Sequence, residues 1–313
     1  MTENGKPAPG PGGRGASSRM VSLAMLFMAG ITIGSIFTLN KLVAASGIPF
    51  VAYIVWQALG AALILAAISL GLGKRIDVGG PLLRFYVVYG LIGLAVPHLI
   101  FNIVAPSLPA GLVSLITPLI PMLTYACAIL FRLEGLKAIR LAGLLLGLAG
   151  VLVVIVPDAS LPSPDMMVAF LIVLLAPFSI AFSNIAAAMM RPPETTSLSM
   201  AVGGLSFGAL FMMPLLAFGD NWWFFDGPMD AGHGAVMVAV IVNALFFYLV
   251  FEVIHREGPV FFATSNYITT LAGMGWGMLL LGEAHNTLIW VALALLFAGL
   301  YLVVKGAEDG PAA

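Results

Sequence analysis

The sequence contains EGLKAIRLAGLLLGLAGVLVV at residues 134–154 and, 149 positions later, EAHNTLIWVALALLFAGLYLV at residues 283–303. Both stretches begin with a glutamate, carry a glycine sixteen residues further on and end in an apolar run. A match of this length and spacing predicts that the chain is built from two copies of one unit.

A second match lies near the start of each copy. Ser35-Ile36 followed by Asn40 recurs as Ser179-Ile180 followed by Asn184, at an offset of 144. The longer loop around Asp220 absorbs the five-residue difference between the two offsets. Matches at both ends of the unit predict a duplication that covers nearly the whole chain.

The composition excludes a soluble protein. Of the 313 residues 61% are hydrophobic and only 9% are charged, whereas a soluble domain carries about 25% charged residues. About twenty apolar residues in a helix cross a hydrocarbon layer about 30 Å thick, and the blocks lack the alternation of barrel strands. Ten such blocks follow one another, at 20–43, 49–71, 82–104, 107–131, 137–157, 166–190, 196–217, 233–254, 258–281 and 286–304.

The number and charge of the blocks predict their orientation. Each half holds five spans, an odd number, so the second half enters the membrane upside down. With a cytoplasmic N-terminus, twelve of the thirteen Lys and Arg residues face the cytoplasm, and only Lys41 lies outside. We therefore predict an all-α membrane protein with ten transmembrane helices in two inverted five-helix repeats, N-in and C-in, in a bacterial-type inner (plasma) membrane.

The predicted segments follow from these boundaries. Each terminal segment is a cytoplasmic tail, the first of them disordered because it is rich in Gly and Pro and lacks apolar residues. The two central segments are the repeats. In chain order they cover residues 1–18, 20–157, 166–305 and 306–313.

Short motifs follow a recognisable order along the repeats. Gly34-Ser35 is followed six positions after the serine by Lys41, and span four carries Pro118–Pro121. Both halves then carry a glutamate and two small residues at spacings of nine and seven: Glu134, Gly143 and Gly150, and then Glu283, Ala292 and Gly299. Over about residues 20–305 the sequence resembles the EamA type of the drug/metabolite transporter superfamily.

The resemblance implies a bundle in which spans 1–4 and 6–9 surround a central cavity, while spans 5 and 10 are peripheral. Members of the superfamily move amino acids, nucleotide sugars, vitamins, amines or drugs, often outward. Three positions depart from the pattern: Gln57 replaces a frequent arginine, Tyr267 stands at the equivalent of Pro118, and Thr270 at that of Pro121. These departures leave the substrate open, but not the fold.

Two spans carry polar stripes that we interpret as pathway candidates, because a polar side chain in hydrocarbon is costly unless it faces a partner or water. Three- and four-residue steps place each stripe on one helical face. The alternative is that small residues and threonines only allow close helix packing. The stripe of span nine is Asn266, Thr269, Thr270, Gly273 and Gly277, and that of span four is Gly111, Ser114, Pro118, Pro121 and Tyr125, flanked by Thr117 and Thr124.

Further pathway candidates are single residues in other spans. Asn40 and Asn184 are repeat mates, and His98 and Asn102 lie one turn apart in span three. His98 is a candidate contact for the substrate or a proton, with an ordinary hydrogen-bonded histidine as the alternative. Trp276 offers an apolar surface to a substrate.

Charged residues in the spans are few, and each has two interpretations. Lys41 either meets an anionic group of the substrate or extends its apolar stem to the outer interface. Glu252 is the candidate for proton coupling, since a buried carboxyl group can carry a proton; the alternative is a helix-surface pair with Arg256 four residues on. We interpret Glu134 and Glu283 as anchors of helix ends and loops.

These patterns predict a secondary transporter that moves a small amphipathic metabolite, amino-acid-like or related, across the inner membrane, with export favoured. The alternatives are an uptake permease of the same fold for a vitamin or other metabolite, a non-transporting membrane scaffold and an intramembrane enzyme. The sequence carries no Walker motif, and we expect no cofactor, no metal and no catalytic residues. The expected partners are a small-molecule substrate and the lipid bilayer, not nucleic acid, with a homodimer through the Gly143–Gly150 face as an option.

Overall fold

The computed structural model describes residues 16–155, 164–190, 195–225, 227, 229–257 and 259–308. Every regular element in these ranges is a helix, which confirms the all-helical prediction. Helices form because each backbone N–H and C=O in hydrocarbon must be paired within its own segment. In chain order the elements are α1 (Ala16–Ala45), α2 (Phe50–Gly71), α3 (Gly80–Val88), a π-helical segment (Tyr89–Ala95), α4 (Val96–Val104), α5 (Ala110–Ser114), α6 (Leu119–Leu130), α7 (Ala138–Ile155), α8 (Pro164–Val173), α9 (Leu175–Met190), α10 (Ser197–Met212), a 3-10 segment (Met213–Ala217), α11 (Ala231–Glu257), α12 (Pro259–Ala263), α13 (Ser265–Leu281) and α14 (Thr287–Glu308).

The helices at the two ends are longer than predicted. Residues 16–18 and 306–308 belong to α1 and α14 and not to the tails. The extension has a simple cause, because a helix can continue from the hydrocarbon into the polar headgroup layer. The rest of the predicted tails, 1–15 and 309–313, lies outside the described residues.

Eight helical segments are long and apolar enough to cross a membrane, judged by length and composition. Ala138–Val154 is a shorter apolar helix, and α13 is a 17-residue helix that carries the polar stripe of span nine. The eight segments are Met20–Ala45, Phe50–Gly71, Gly80–Val104, Ala110–Leu130, Met166–Ala186, Ser197–Ala217, Ala231–Glu257 and Thr287–Gly306.

Span four is broken between α5 and α6. Pro118 has no N–H, so it cannot continue the helical bonding pattern. The oxygen of Ser114 accepts from the N–H of Thr117 instead, and the N–H of Leu119 bonds to Ile116, as in a tighter helix. The break places the side chain of Thr117 at the junction of two short helices in the core.

The fifth helices of the two repeats, α7 and α14, run in opposite directions. Gly143 lies against Gly299 and Val303, while Gly150 lies against Ala292 and Leu296. Residue numbers therefore rise along one helix as they fall along the other, as inverted halves require.

The same contact between α7 and α14 occupies the Gly143–Gly150 face that was predicted for a dimer. A Cβ atom on Gly143 would come within 2.6 Å of the backbone oxygen of Gly299, and one on Gly150 within 3.0 Å of that of Ala292. Close approach of this kind is what small residues at helix contacts provide. The glycine face of α7 packs within the chain, so it is not available for the dimer contact that the sequence suggested.

The two halves interlock around the core. The first helix of each half packs on the fourth helix of the other half: α1 lies on α13, and α9 lies on α6. In the same bundle α11 contacts both α1 and α2. This arrangement brings the polar residues of both halves into one region.

Candidate functional site

A chain of hydrogen bonds joins α1 and α2 in the core. The Tyr53 hydroxyl donates to Oδ1 of Asn40 over 2.8 Å and accepts from Nε2 of Gln57 over 3.3 Å. All three residues are buried. The bonding order fixes the orientation of the Gln57 amide, and its Oε1 has no hydrogen-bond partner among the residues that the structure describes.

A second polar group lies between α4 and α11. Nδ1 of His98 is 2.9 Å from the oxygen of Leu94, so this nitrogen carries the hydrogen and Nε2 is left as an acceptor in the neutral ring. Nδ2 of Asn102 donates to the backbone oxygen of His98, and the Asn243 side chain lies beside the ring. The amide of Asn243 donates to Ala239, while its Oδ1 is unpaired within the described ranges.

The predicted stripes of spans four and nine meet each other. The hydroxyl oxygens of Thr117 and Thr270 are 2.9 Å apart, and Oγ of Ser114 lies 3.2 Å from the backbone oxygen of Thr270. Gly273 lies opposite Ser114, where a Cβ atom would collide with the serine side chain. Thr269, from the same stripe, is also buried. Spans four and nine therefore form one polar contact between the halves.

The remaining predicted residues lie further apart. Thr124 accepts from Nδ2 of Asn184 over 3.2 Å, close to the other end of the bundle, where Asn184 is exposed. Asn266 is half-buried and donates to the oxygen of Ala263. Trp276 lies away from this group, because its indole N–H donates to the oxygen of Ile31 at the edge of the α1–α13 contact.

Lys41 lies in a charged cluster that the sequence did not indicate. Its Nζ is 3.4 Å from Oε1 of Glu283 and donates to the oxygen of Leu108 over 3.1 Å. The same carboxylate accepts from the backbone N–H groups of Ala110, at 2.6 Å, and Gly111, at 2.9 Å. The Glu283 side chain is only 8% exposed. Lys41 thus binds a carboxylate of the protein itself.

His285 completes this cluster. Its side chain is 1% exposed, and Nε2 lies 4.0 Å from Oε2 of Glu283 and against Gly111. Nε2 has no hydrogen-bond partner in the part of the chain that the structure describes. Burial lowers the pKa of His285 below its ordinary value, against the opposing charge of Glu283. The ring is therefore held neutral at neutral pH.

Glu252 and Glu134 both form ion pairs with an arginine nearby in sequence. Oε1 of Glu252 is 2.6 Å from Nε of Arg256, the pair that the alternative interpretation described. Glu134 binds Arg140, which also lies over the ring of Tyr125 at 3.6 Å from its centre. The Glu134 side chain is 45% exposed, in contrast to its repeat mate.

An apolar cavity of about 460 Å³ lies beside the start of α2. The indole N–H of Trp56 donates to the oxygen of Trp223, and Trp56 packs edge-on against Phe224 and Phe225. The loop Trp222–Phe225, which we call the aromatic loop, therefore covers one side of this cavity, whose lining offers apolar surface and few polar atoms.

Sequence reasoning missed Tyr53, Asn243 and His285 as functional candidates. Tyr53 precedes Gln57 by one helical turn, and that spacing is the signal that could have indicated a pair. Asn243 is a single polar residue between apolar neighbours, and His285 lies in a short loop. Neither has a spacing that marks it, because each acquires its neighbours only through packing.

Comparison with known proteins places these features in a family. The EamA-like transporter family matches residues 20–156 and 167–305, which together make up most of the chain. No curated protein matches it. A solved crystal structure is similar over 93% of this chain and 100% of its own, with a TM-score of 0.63 and 17% sequence identity, a likeness that shows the fold alone. The chain, a multi-pass membrane protein, belongs to the EamA-like transporter family.

Proposed function

We propose that the protein is a secondary transporter that moves a small amphipathic, amino-acid-like metabolite across a bacterial-type inner membrane, with export favoured over uptake. Ten helices cross the membrane in two inverted halves, with both termini in the cytoplasm. The distribution of Lys and Arg supports this orientation. It places Lys41, Glu283 and the aromatic loop at the outer end, and Glu134 at the inner end.

The observation that carries the proposal is a set of buried polar atoms that have no hydrogen-bond partner among the described residues. Three of them belong to α1, α2 and α11, which pack together: Oγ1 of Thr38, Oε1 of Gln57 and Oδ1 of Asn243. Each residue is fully buried. An unpaired buried polar atom costs about 1–3 kcal/mol. A bound solute that supplies the missing partners offsets this cost.

The chemistry of these atoms supports one substrate class. Two are amide oxygens, which only accept hydrogen bonds, and the His98 ring lies beside one of them, that of Asn243. Acceptors of this kind suit an amino or ammonium group that is one part of a neutral or zwitterionic molecule.

The polar contact between spans four and nine supports transport over a scaffold role. The Thr117 and Thr270 hydroxyls come from different halves and meet at a break in span four. Helix breaks at membrane depth are typical of transporter binding sites, where backbone groups line the site. Asn266, Thr269 and Asn102 belong to the same proposed pathway, and we propose Asn184 and Thr124 for its inner exit.

Lys41 and Trp276 are not part of this proposed substrate site, since one binds Glu283 and the other lies at the edge of α13. Glu252 is retained as the candidate for proton coupling. Its position near the inner end of α11, paired with Arg256, separates it from the unpaired acceptors in the core.

Flux into liposomes that contain the purified protein tests the proposal, with amino acids, amines and vitamins as solutes. We expect saturable flux of a solute that carries an amino group. In the variants Gln57→Met and Asn243→Leu, loss of a hydrogen bond to a charged donor, worth about 1.5–3 kcal/mol, should raise KM about 10- to 100-fold.

The same variants separate a binding role from a structural one. Both replace a buried amide by an apolar side chain of similar size, which removes an unpaired oxygen but also the bond to Tyr53 or Ala239. Because these two effects oppose each other, the thermal midpoint should stay close to that of the parent. Thr32→Val is the matched control, because this hydroxyl bonds only to backbone oxygens of its own helix, those of Met28 and Ala29. An unchanged KM in both amide variants would contradict the proposed site.

A further inference from the structure

The two copies of the repeated glutamate occupy opposite states. Glu283 is 8% exposed and bonds to Lys41 and to two backbone N–H groups at the start of span four. Glu134 is 45% exposed and bonds to Arg140 in its own loop. The next position but one repeats the contrast: the His285 side chain is 1% exposed, and its mate Leu136 is 65% exposed.

The Glu283 contacts tie together three parts of the chain that are far apart in the sequence. The carboxylate belongs to the loop after α13, Lys41 to the end of α1, and Ala110 and Gly111 to the start of α5. All of them lie at the end of the bundle that we assign to the outside. Charge-assisted hydrogen bonds of this kind are the strong ones in proteins. While they hold, the outer ends of spans one, four and nine cannot separate.

In a protein with inverted repeats, two arrangements related by exchange of the halves give access to opposite sides. We infer that Glu283, Lys41 and the Ala110–Gly111 backbone form the latch of an outer gate, and that this gate is closed here; Glu134 is the corresponding group of the inner gate, which is open. This inference rests on the proposed function. We call the set of contacts of Glu283 the outer latch.

The sequence makes the two latches unequal. Lys41 corresponds to Ile185 in the second half, which offers no ammonium group, and Ala110 corresponds to Pro259, which has no N–H. In the mirror-image arrangement Glu134 would therefore lose two of the three partners that Glu283 has. Arg140 also competes for its carboxylate. The outer-closed state is thus the more stable of the two.

Thiol labelling from each side of the membrane tests the latch without measuring transport. In a Cys127→Ser background, Leu108→Cys places one thiol in the outer loop, at a residue that is fully buried and whose oxygen binds Lys41. In a second protein Ala263→Cys places the thiol at a half-exposed position near the inner start of span nine. A membrane-impermeant maleimide is applied to vesicles of known orientation.

We expect Glu283→Ala to increase the labelling rate at position 108 about 10- to 100-fold, as for the loss of charge-assisted hydrogen bonds. Labelling at position 263 should fall in the same variant, because opening one end closes the other. Glu283→Gln keeps an acceptor for the backbone N–H groups and should have an intermediate effect. Glu134→Ala is the matched control and should not increase labelling at position 108.

Three outcomes would overturn the outer latch: no change at position 108 in Glu283→Ala, an equal increase in Glu134→Ala, or increases at both positions 108 and 263, which indicate general loosening. Flux of any solute is not needed for these readings. If the labelling changes occur as expected but no flux is measured, the proposed substrate is contradicted and the outer latch is supported. If flux is measured but the labelling changes do not occur, the outer latch is contradicted and the proposed function is supported.

Discussion

The starts of spans four and nine are repeat mates that both contain a helix break but differ in burial. Span four breaks after Ser114, and span nine breaks after Ala263, 149 positions on. Residues 112–115 are all buried, whereas residues 261–264 are all partly exposed. Prolines cause the first break, yet span nine has Tyr267 where span four has Pro118. The repeat therefore preserves a helix break at this position without preserving the residues that produce it.

The difference in burial extends the contrast between Glu283 and Glu134. Glu134 follows span four in the sequence, and Glu283 follows span nine. The carboxylate of Glu283, however, binds the backbone at the start of span four, in the other half. The same end of span four is thus sealed by the other half. The burial of residues 112–115 and the binding of the Glu283 carboxylate both show that the two halves of the protein differ in conformation.

The largest expected effect comes from breaking the packing between these two spans. In Gly273→Ala the new Cβ would collide with the Ser114 side chain and lie 3.3 Å from the ring of Phe37. Overpacking of this kind costs about 1–3 kcal/mol. We expect a lower thermal midpoint in detergent and little or no flux.

Gly275→Ala is the matched control in the same helix, because a Cβ atom there meets nothing within 4 Å. Alanine favours a helix over glycine by up to about 1 kcal/mol, so this variant should be as stable as the parent or more so. Equal losses of stability in the two variants would show that the spans do not pack as closely as Gly273 indicates.

How far the sequence predicts these features depends on whether they are local. The helices, the duplication and the polar stripes of spans four and nine follow from apolar runs and from three- and four-residue steps along one chain, whereas the contact between Thr117 and Thr270 does not. The role of Glu283 does not, because Glu134 has the same motif and a different environment. The sequence suggested two roles for Lys41, but it did not indicate Glu283 as the partner that the structure shows. Such contacts depend on which of two arrangements the bundle adopts, a property that a repeated motif cannot encode by itself.

A smaller effect should come from the hydroxyl pair that joins the two spans. Thr117→Val and Thr270→Val each remove one side of the 2.9 Å contact and keep the shape of the side chain. A net hydrogen bond is worth about 0.5–1.5 kcal/mol, and the double-mutant cycle should return a coupling of that size in the free energy of unfolding. Exact additivity of the two losses would mean that the hydroxyls do not bond to each other.

The smallest expected effect is a pH dependence of the outer latch that comes from His285. Its repeat mate Leu136 has no group that could titrate. The groups that face His285 are Glu283 from its own loop, Lys41 from α1 through that carboxylate, and the Gly111 backbone of α5. Burial lowers the pKa of His285 in the closed state, while the pKa of a hydrated histidine is about 6.5. The closed state therefore binds the proton less tightly. Its advantage is complete above pH about 6.5 and declines as the pH falls further. Labelling of Leu108→Cys, divided by that of an exposed reference cysteine at Asp220→Cys, should increase on the acid side. His285→Asn should remove the increase, and a pH profile that survives this substitution would assign the titration to another group.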